Sequence, residues 1–114
     1  MMTYFHLKTD RRISREVEDA LRDDMVDLLY LLRKASTACM FDIESGCNLR
    51  MGDGSSPCAY LQVKCASMPT DEDIRAFSRA VAALLGHVLD AELSRTYIVF
   101  DTMNCFATGD VLKD

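Results

Sequence analysis

No two cysteines in this chain are spaced as C-x-x-C, although Cys39, Cys47, Cys58, Cys65 and Cys105 are all present. Zinc frameworks are built from close Cys or His pairs. Here the nearest pair, Cys58 and Cys65, would fall on opposite faces of one strand. The expectation is therefore no metal site and no cofactor, with the cysteines serving as small buried hydrophobes in a reducing compartment. An excess of positive charge is also missing: 13 Lys and Arg stand against 18 Asp and Glu, a formal net charge of -5. A surface that tracks phosphates needs clustered Lys and Arg, so nucleic acid is excluded as a partner. No apolar run approaches the roughly 20 residues needed to span a bilayer. Asp10, Arg11 and Arg12 interrupt the region where a signal peptide would carry its apolar stretch. The expected localisation is cytoplasmic, with no membrane insertion.

What is present is an ordinary globular composition, 114 residues of which 49% are hydrophobic and 27% charged. That is too apolar for intrinsic disorder and enough for one core. The chain is organised around Met51-Gly-Asp-Gly-Ser-Ser-Pro-Cys-Ala-Tyr-Leu-Gln-Val-Lys-Cys-Ala66, a polar turn running into an apolar strand. It joins two similar halves.

In the first half, Thr3 to Thr9 alternates Tyr4, His6 and Lys8 with Thr3, Phe5, Leu7 and Thr9, the pattern of a strand. Ser14 is the predicted N-cap of a helix. Its apolar stripe is Val17, Leu21, Met25, Leu28 and Leu32, and the Glu16 to Asp27 acidic run forms a solvated face. Ala38 to Ile43 reads as a second strand returning parallel to the first. In the second half, Cys58 to Ala66 is a strand and Thr70 caps a helix whose stripe is Ile74, Phe77, Val81, Leu84, Leu85 and Val88. Asp90 to Arg95 is a connector, and Thr96 to Asp101 is a β-branched and aromatic strand. The expected domain is single: residues 1–50 a first βαβ unit, 51–57 the central turn, 58–104 a second βαβ unit, 105–114 a tail that pairs at an edge, with another subunit as one option. The predicted fold class is α/β, a pseudo-twofold repeat giving a four-stranded sheet with two helices on one face. Tyr4, His6, Met40, Tyr60, Val63, Tyr97 and Val99 are expected on the other face, which calls for burial by oligomerisation. His6 and His87 have no constellation around them and read as satisfied or solvated.

Met51-Gly-Asp-Gly-Ser-Ser-Pro-Cys-Ala59 together with Arg95-Thr-Tyr-Ile-Val-Phe-Asp-Thr-Met-Asn104 resembles the macrophage migration inhibitory factor and D-dopachrome tautomerase family. The two motifs lie in one gapless register that reaches the N-terminus. The resemblance implies the tautomerase fold and a homotrimer, with three sheets lining a central barrel. It also implies keto-enol tautomerisation by an N-terminal proline, whose amine of depressed pKa acts as the general base.

This sequence has no proline there. The position falls to Thr3, or to Met2 with a one-residue insertion. The bulk of Met2 implies that Met1 is retained, which places the free amine up to about 7 Å away along an extended chain. A primary α-amine is also mostly protonated at neutral pH, with a pKa near 8. The Met1 and Met2 side chains would plug the cavity. The resemblance further implies that Lys34 matches the substrate-binding lysine and Tyr97 the pocket tyrosine supplied by a neighbouring subunit. Val99 and Ala66 replace the usual asparagine and isoleucine, and the family's Cys-x-x-Cys is broken at Leu61, so no redox role is assigned.

Plain alternatives stand beside these. Lys34 at a helix C-terminus complements the dipole, and Tyr97 packs as a strand aromatic at an interface. The leading expectation is a family member with lost or very weak tautomerase activity that acts by protein binding or cytokine-like signalling. The alternatives are a phenylpyruvate- or dopachrome-type tautomerase working through Lys34 and Tyr97, and a signalling protein exported without a signal peptide to meet a cell-surface receptor.

Overall fold

The structure is a computed structural model that describes residues 3–34, 39–52, 54, 57–103 and 106–113. Its elements are β1 (Thr3–Thr9), α1 (Arg15–Asp27), a 3₁₀ turn over Leu29–Leu32, β2 (Cys39–Glu44), β3 (Ala59–Cys65), α2 (Asp71–Leu89), a 3₁₀ turn over Leu93–Arg95, β4 (Thr96–Thr102), β5 (Phe106–Thr108) and β6 (Val111–Lys113). The first four strands form one sheet in the order β2-β1-β3-β4. β1 runs parallel to β2 and β3 parallel to β4, while β1 and β3 pair antiparallel at the centre. This is the expected repeat: each half closes a parallel pair through its own helix, and the two halves join back to back.

Alternation along the strands sorts the residues. Phe5, Leu7, Leu61, Val63 and Cys65 face the helices and are fully buried. They meet Leu21, Met25, Phe77, Val81, Leu85 and Leu89 in one core. Phe5 is its centre, with its ring 5.0 Å from that of Phe41 and 5.9 Å from that of Phe77. Val63 thus lies under the helices by the period of two, not on the opposite face to which it was assigned. The opposite face is also more polar than expected. Beside Tyr4, Met40, Tyr60, Tyr97 and Val99 it carries His6, Lys8, Asp42, Glu44, Gln62, Lys64 and Asp101.

The first helix is shorter than its apolar stripe. The α-helical part stops at Asp27, and Leu29–Leu32 continue as 3₁₀. In a three-residue repeat Leu29 and Leu32 fall on one line, and both are buried, so the tighter winding suits the Leu-rich run. Val17, at the far end of the stripe, is 37% exposed. Arg33 then adopts a left-handed conformation with φ 57° and its amide bonds back to the Tyr30 carbonyl, which ends the helix and turns Lys34 toward the sheet. The caps are as read: Ser14 accepts from the Val17 amide and Thr70 from the Asp73 amide, at 3.2 Å each.

The second strand begins and ends one residue later than expected, and Ala38 lies outside the described residues, as do Asp53, Ser55 and Ser56 of the central turn. Around that turn the side chain of Arg95 donates to the Pro57 carbonyl at 3.2 Å. A Cβ on Gly54 would stand 2.5 Å from the same guanidinium, so the glycine makes room for this clamp. In the tail, β5 and β6 form a separate antiparallel hairpin and do not join the sheet.

Candidate functional site

In the gapless register the proline position expected from the resemblance falls at Thr3, where β1 begins, and with a one-residue insertion at Met2. Met2 lies outside the described residues. Thr3 is fully buried, paired with Cys39 of β2 on one side and Cys65 of β3 on the other. Its Oγ1 has no hydrogen-bond partner among the described residues. An orphaned buried hydroxyl costs about 1–3 kcal/mol, so a polar group set here without a partner is a liability that a plain core position would not keep.

Lys34 stands beside it. Its Nζ donates to the Ser67 carbonyl at 3.1 Å and to Ser67 Oγ at 3.2 Å. Ser67 follows Cys65 and Ala66 at the end of β3, the strand end that is paired with Thr3. Thr3, Lys34 and Ala66 are therefore gathered at one end of the sheet. The ammonium is close enough to Cys65 to lower its thiol pKa, but burial outweighs it and the thiol is pushed up. Burial also raises Cys39. Both thiols stay protonated at neutral pH, so the two residues paired with Thr3 at the start of β1 are neutral.

The lysine is held by a second contact that the sequence does not announce. Arg33 Nε lies 3.0 Å from Asp73 Oδ2, tying the end of the first helical segment to the first turn of α2. Neither Ser67 nor Asp73 belongs to a recognisable motif, and the contacts connect residues 33 and 40 positions apart.

Tyr97 and Val99 are not brought to this end. Tyr97 is opposite Tyr60, near the start of β3, whereas Thr3 is opposite Cys65. Five residues of strand separate the two positions, about 17 Å. Tyr97 is 58% exposed on the outer sheet face and lines a hollow of about 270 Å³ with Leu49, Arg50, Met51, Cys58, Tyr60 and Arg95. Cys58 there is raised chiefly by burial and next by the Asp10 carboxylate, with Arg95 opposing. Within one chain, the residues expected from the resemblance to share a pocket thus lie at two different places on the sheet.

A sheet of two βαβ units joined antiparallel at β1 and β3, with a lysine at the start of β1 and a tyrosine at the start of β4, defines a protein of the tautomerase superfold. The chain matches the family model for macrophage migration inhibitory factor (MIF) over residues 2–111 and belongs to that family. It is similar in structure to the Leishmania major protein MIF2, with TM-score 0.87 at 10% identity, covering 98% of this chain and 97% of that one. It is likewise similar to a migration inhibitory factor of Toxoplasma gondii, TM-score 0.86 at 20% identity, over 96% and 99% of the two chains. The migration inhibitory factor-like protein of Entamoeba histolytica gives 0.84 at 16% identity, over 95% and 96%. No curated protein matches the chain by sequence.

Proposed function

We propose that this protein is a MIF-family member that has given up efficient tautomerase chemistry and acts by binding other proteins, as a homotrimer with a cytokine-like mode of action. The observation that carries this reading is Thr3. In the gapless register the position that takes a basic secondary amine falls on a buried threonine paired in the sheet on both sides, and with a one-residue insertion it falls on Met2, which is no secondary amine either. Met1 and Met2 precede Thr3 in the chain, so its nitrogen is a peptide amide without a basic lone pair. A hydroxyl with an ordinary pKa, flanked by two neutral thiols, offers no general base near neutral pH. Lys34 remains, but its ammonium donates to Ser67 and binds anions better than it abstracts protons. In this reading Lys34 and Ala66 of one subunit face Tyr97 and Val99 of the next, a relic pocket that binds without turning over.

The test is phenylpyruvate keto-enol conversion by the purified chain, beside a variant that lacks Met1 and Met2, carries Thr3→Pro and has a processed N-terminus. The native chain is expected to show no rate above background, and the variant to gain at least about a hundredfold, the cost of a misplaced reacting group. Turnover by the native chain that is lost in Lys34→Ala overturns this reading in favour of a working tautomerase.

A further inference from the structure

On the outer face of the sheet, three side chains converge that no part of the tautomerase reading uses. His6 of β1 is paired with Asp42 of β2, and two residues on Lys8 is paired with Glu44. Alternation puts His6, Asp42 and Glu44 on the same face of two adjacent parallel strands. His6 Nε2 lies 3.0 Å from Glu44 Oε1 and 3.8 Å from Asp42 Oδ2, and one ligand atom from each residue falls within 4.8 Å of the other two.

From this geometry we infer that His6, Asp42 and Glu44 form a binding site for a divalent transition cation of the zinc type. Three arguments support it. The first is distance. Nitrogen and oxygen ligands about 2.1 Å from a shared tetrahedral ion lie about 3.4 Å from one another, and two of the three separations bracket that value already. Small rotations of two carboxylates complete the set. The second is charge. Two carboxylates face one imidazole, so even a protonated His6 leaves one negative charge over, and among the described residues neither Asp42 nor Glu44 has another ion-pair partner. Lys8 and Lys64 lie on the same face, and neither pairs with the cluster. A divalent cation offsets both carboxylates at once.

The third argument is orientation. Tyr4 donates to Asp42 Oδ2 at 3.4 Å, and the Cys47 thiol lies 3.8 Å from Glu44 Oε2, leaving Glu44 Oε1 toward His6. Supporting contacts of this kind fix ligand direction and sharpen affinity. Imidazole with two carboxylates selects zinc, and also cobalt, manganese or ferrous iron, over calcium and magnesium. Three protein ligands leave a position for water. The cysteine spacing that argues against a metal framework says nothing of this site, because Asp42 and Glu44 lie 36 and 38 residues from His6 in sequence and only the pairing of β1 with β2 brings them together.

The proposal is independent of whether the chain is a tautomerase, and the full-length protein tests it directly. His6 and His87 are the only histidines. On titration with Co²⁺, the His6 ring proton signals should broaden or shift by one equivalent while those of His87, exposed on α2, stay in place. Calorimetry with Zn²⁺ should give one site per chain, weakened roughly tenfold or more by His6→Ala and by the double substitution Asp42→Asn with Glu44→Gln. The double variant removes repulsion between neighbouring carboxylates, so folding is not at risk. Undiminished binding in these variants, a cobalt spectrum of thiolate coordination with an unmoved His6, or no heat at millimolar Zn²⁺ would each overturn the inference.

Discussion

At the scale of single residues, burial of polar and ionisable groups decides most of the chemistry. Thr3 shows it for a hydroxyl, and the cysteines show it for thiols. Cys39, Cys58 and Cys65 are all raised above the ordinary value of 9.0, burial being the largest cause in each. A group whose folded pKa exceeds its unfolded value stabilises the fold fully below the unfolded pKa, and that stabilisation is lost as pH rises through the folded one. Stability should therefore decline as pH climbs past 9.0, and the Tyr4 phenol, raised by burial and by Asp42, adds the same sign above 10.0. The check is the urea midpoint measured at neutral pH and above pH 9, with a Cys39→Ala, Cys65→Ala variant alongside. The variant should lose less stability with pH than the parent, and an equal loss would count against the thiols as its source.

Elements are held at their ends by contacts that span the chain. Thr70 caps α2 by accepting from Asp73, whose carboxylate in turn pairs with Arg33. Thr70→Ala should cost about 1 kcal/mol, and Thr70→Gly only a few tenths, because glycine leaves the amide open to water. For a domain near this size the alanine variant would melt about 4 °C lower, a difference that calorimetry resolves. A matching loss in both variants would mean that the hydroxyl contributes little. The same scale explains where the winding departs from the helical stripe. Leu28 to Leu32 continue the helical stripe in sequence, but closing Leu29 and Leu32 over the sheet favours three residues per turn, and the left-handed Arg33 then aims Lys34 at Ser67.

For the whole molecule, the chain by itself leaves work undone. Tyr97 and Met40 are 58% and 56% exposed on the outer sheet face, and the β5–β6 hairpin stands apart from the sheet. A lone two-stranded hairpin is marginal in water, and the proposed trimer would offer it a surface to pack on. Sedimentation is expected to find a trimer at micromolar concentration, and removal of residues 105–114 to shift it toward smaller species. A full-length monomer would leave the proposed pocket divided, with Lys34 near the Thr3–Cys65 pair and Tyr97 about five strand residues, roughly 17 Å, further along the sheet, without a way to close.

Much of this was legible in the residues themselves. Alternation and helical period are local, so the four strands, the two helices, both N-caps and the buried positions Phe5, Leu7, Leu21, Met25, Phe77 and Val81 follow from spacing alone, as does the absence of an N-terminal proline. What depends on pairing between distant segments was not. His6 lies far in sequence from Asp42 and Glu44, on a different strand, and the sequence marks none of the three. Only the parallel register of β1 and β2 sets an imidazole 3.0 Å from one carboxylate and 3.8 Å from another. The tertiary structure likewise decided that Thr3 is sealed between Cys39 and Cys65, and that Lys34 and Tyr97 stand at opposite ends of one sheet, because strand order and register are set by the packing of the core as a whole and not by any one stretch of the chain.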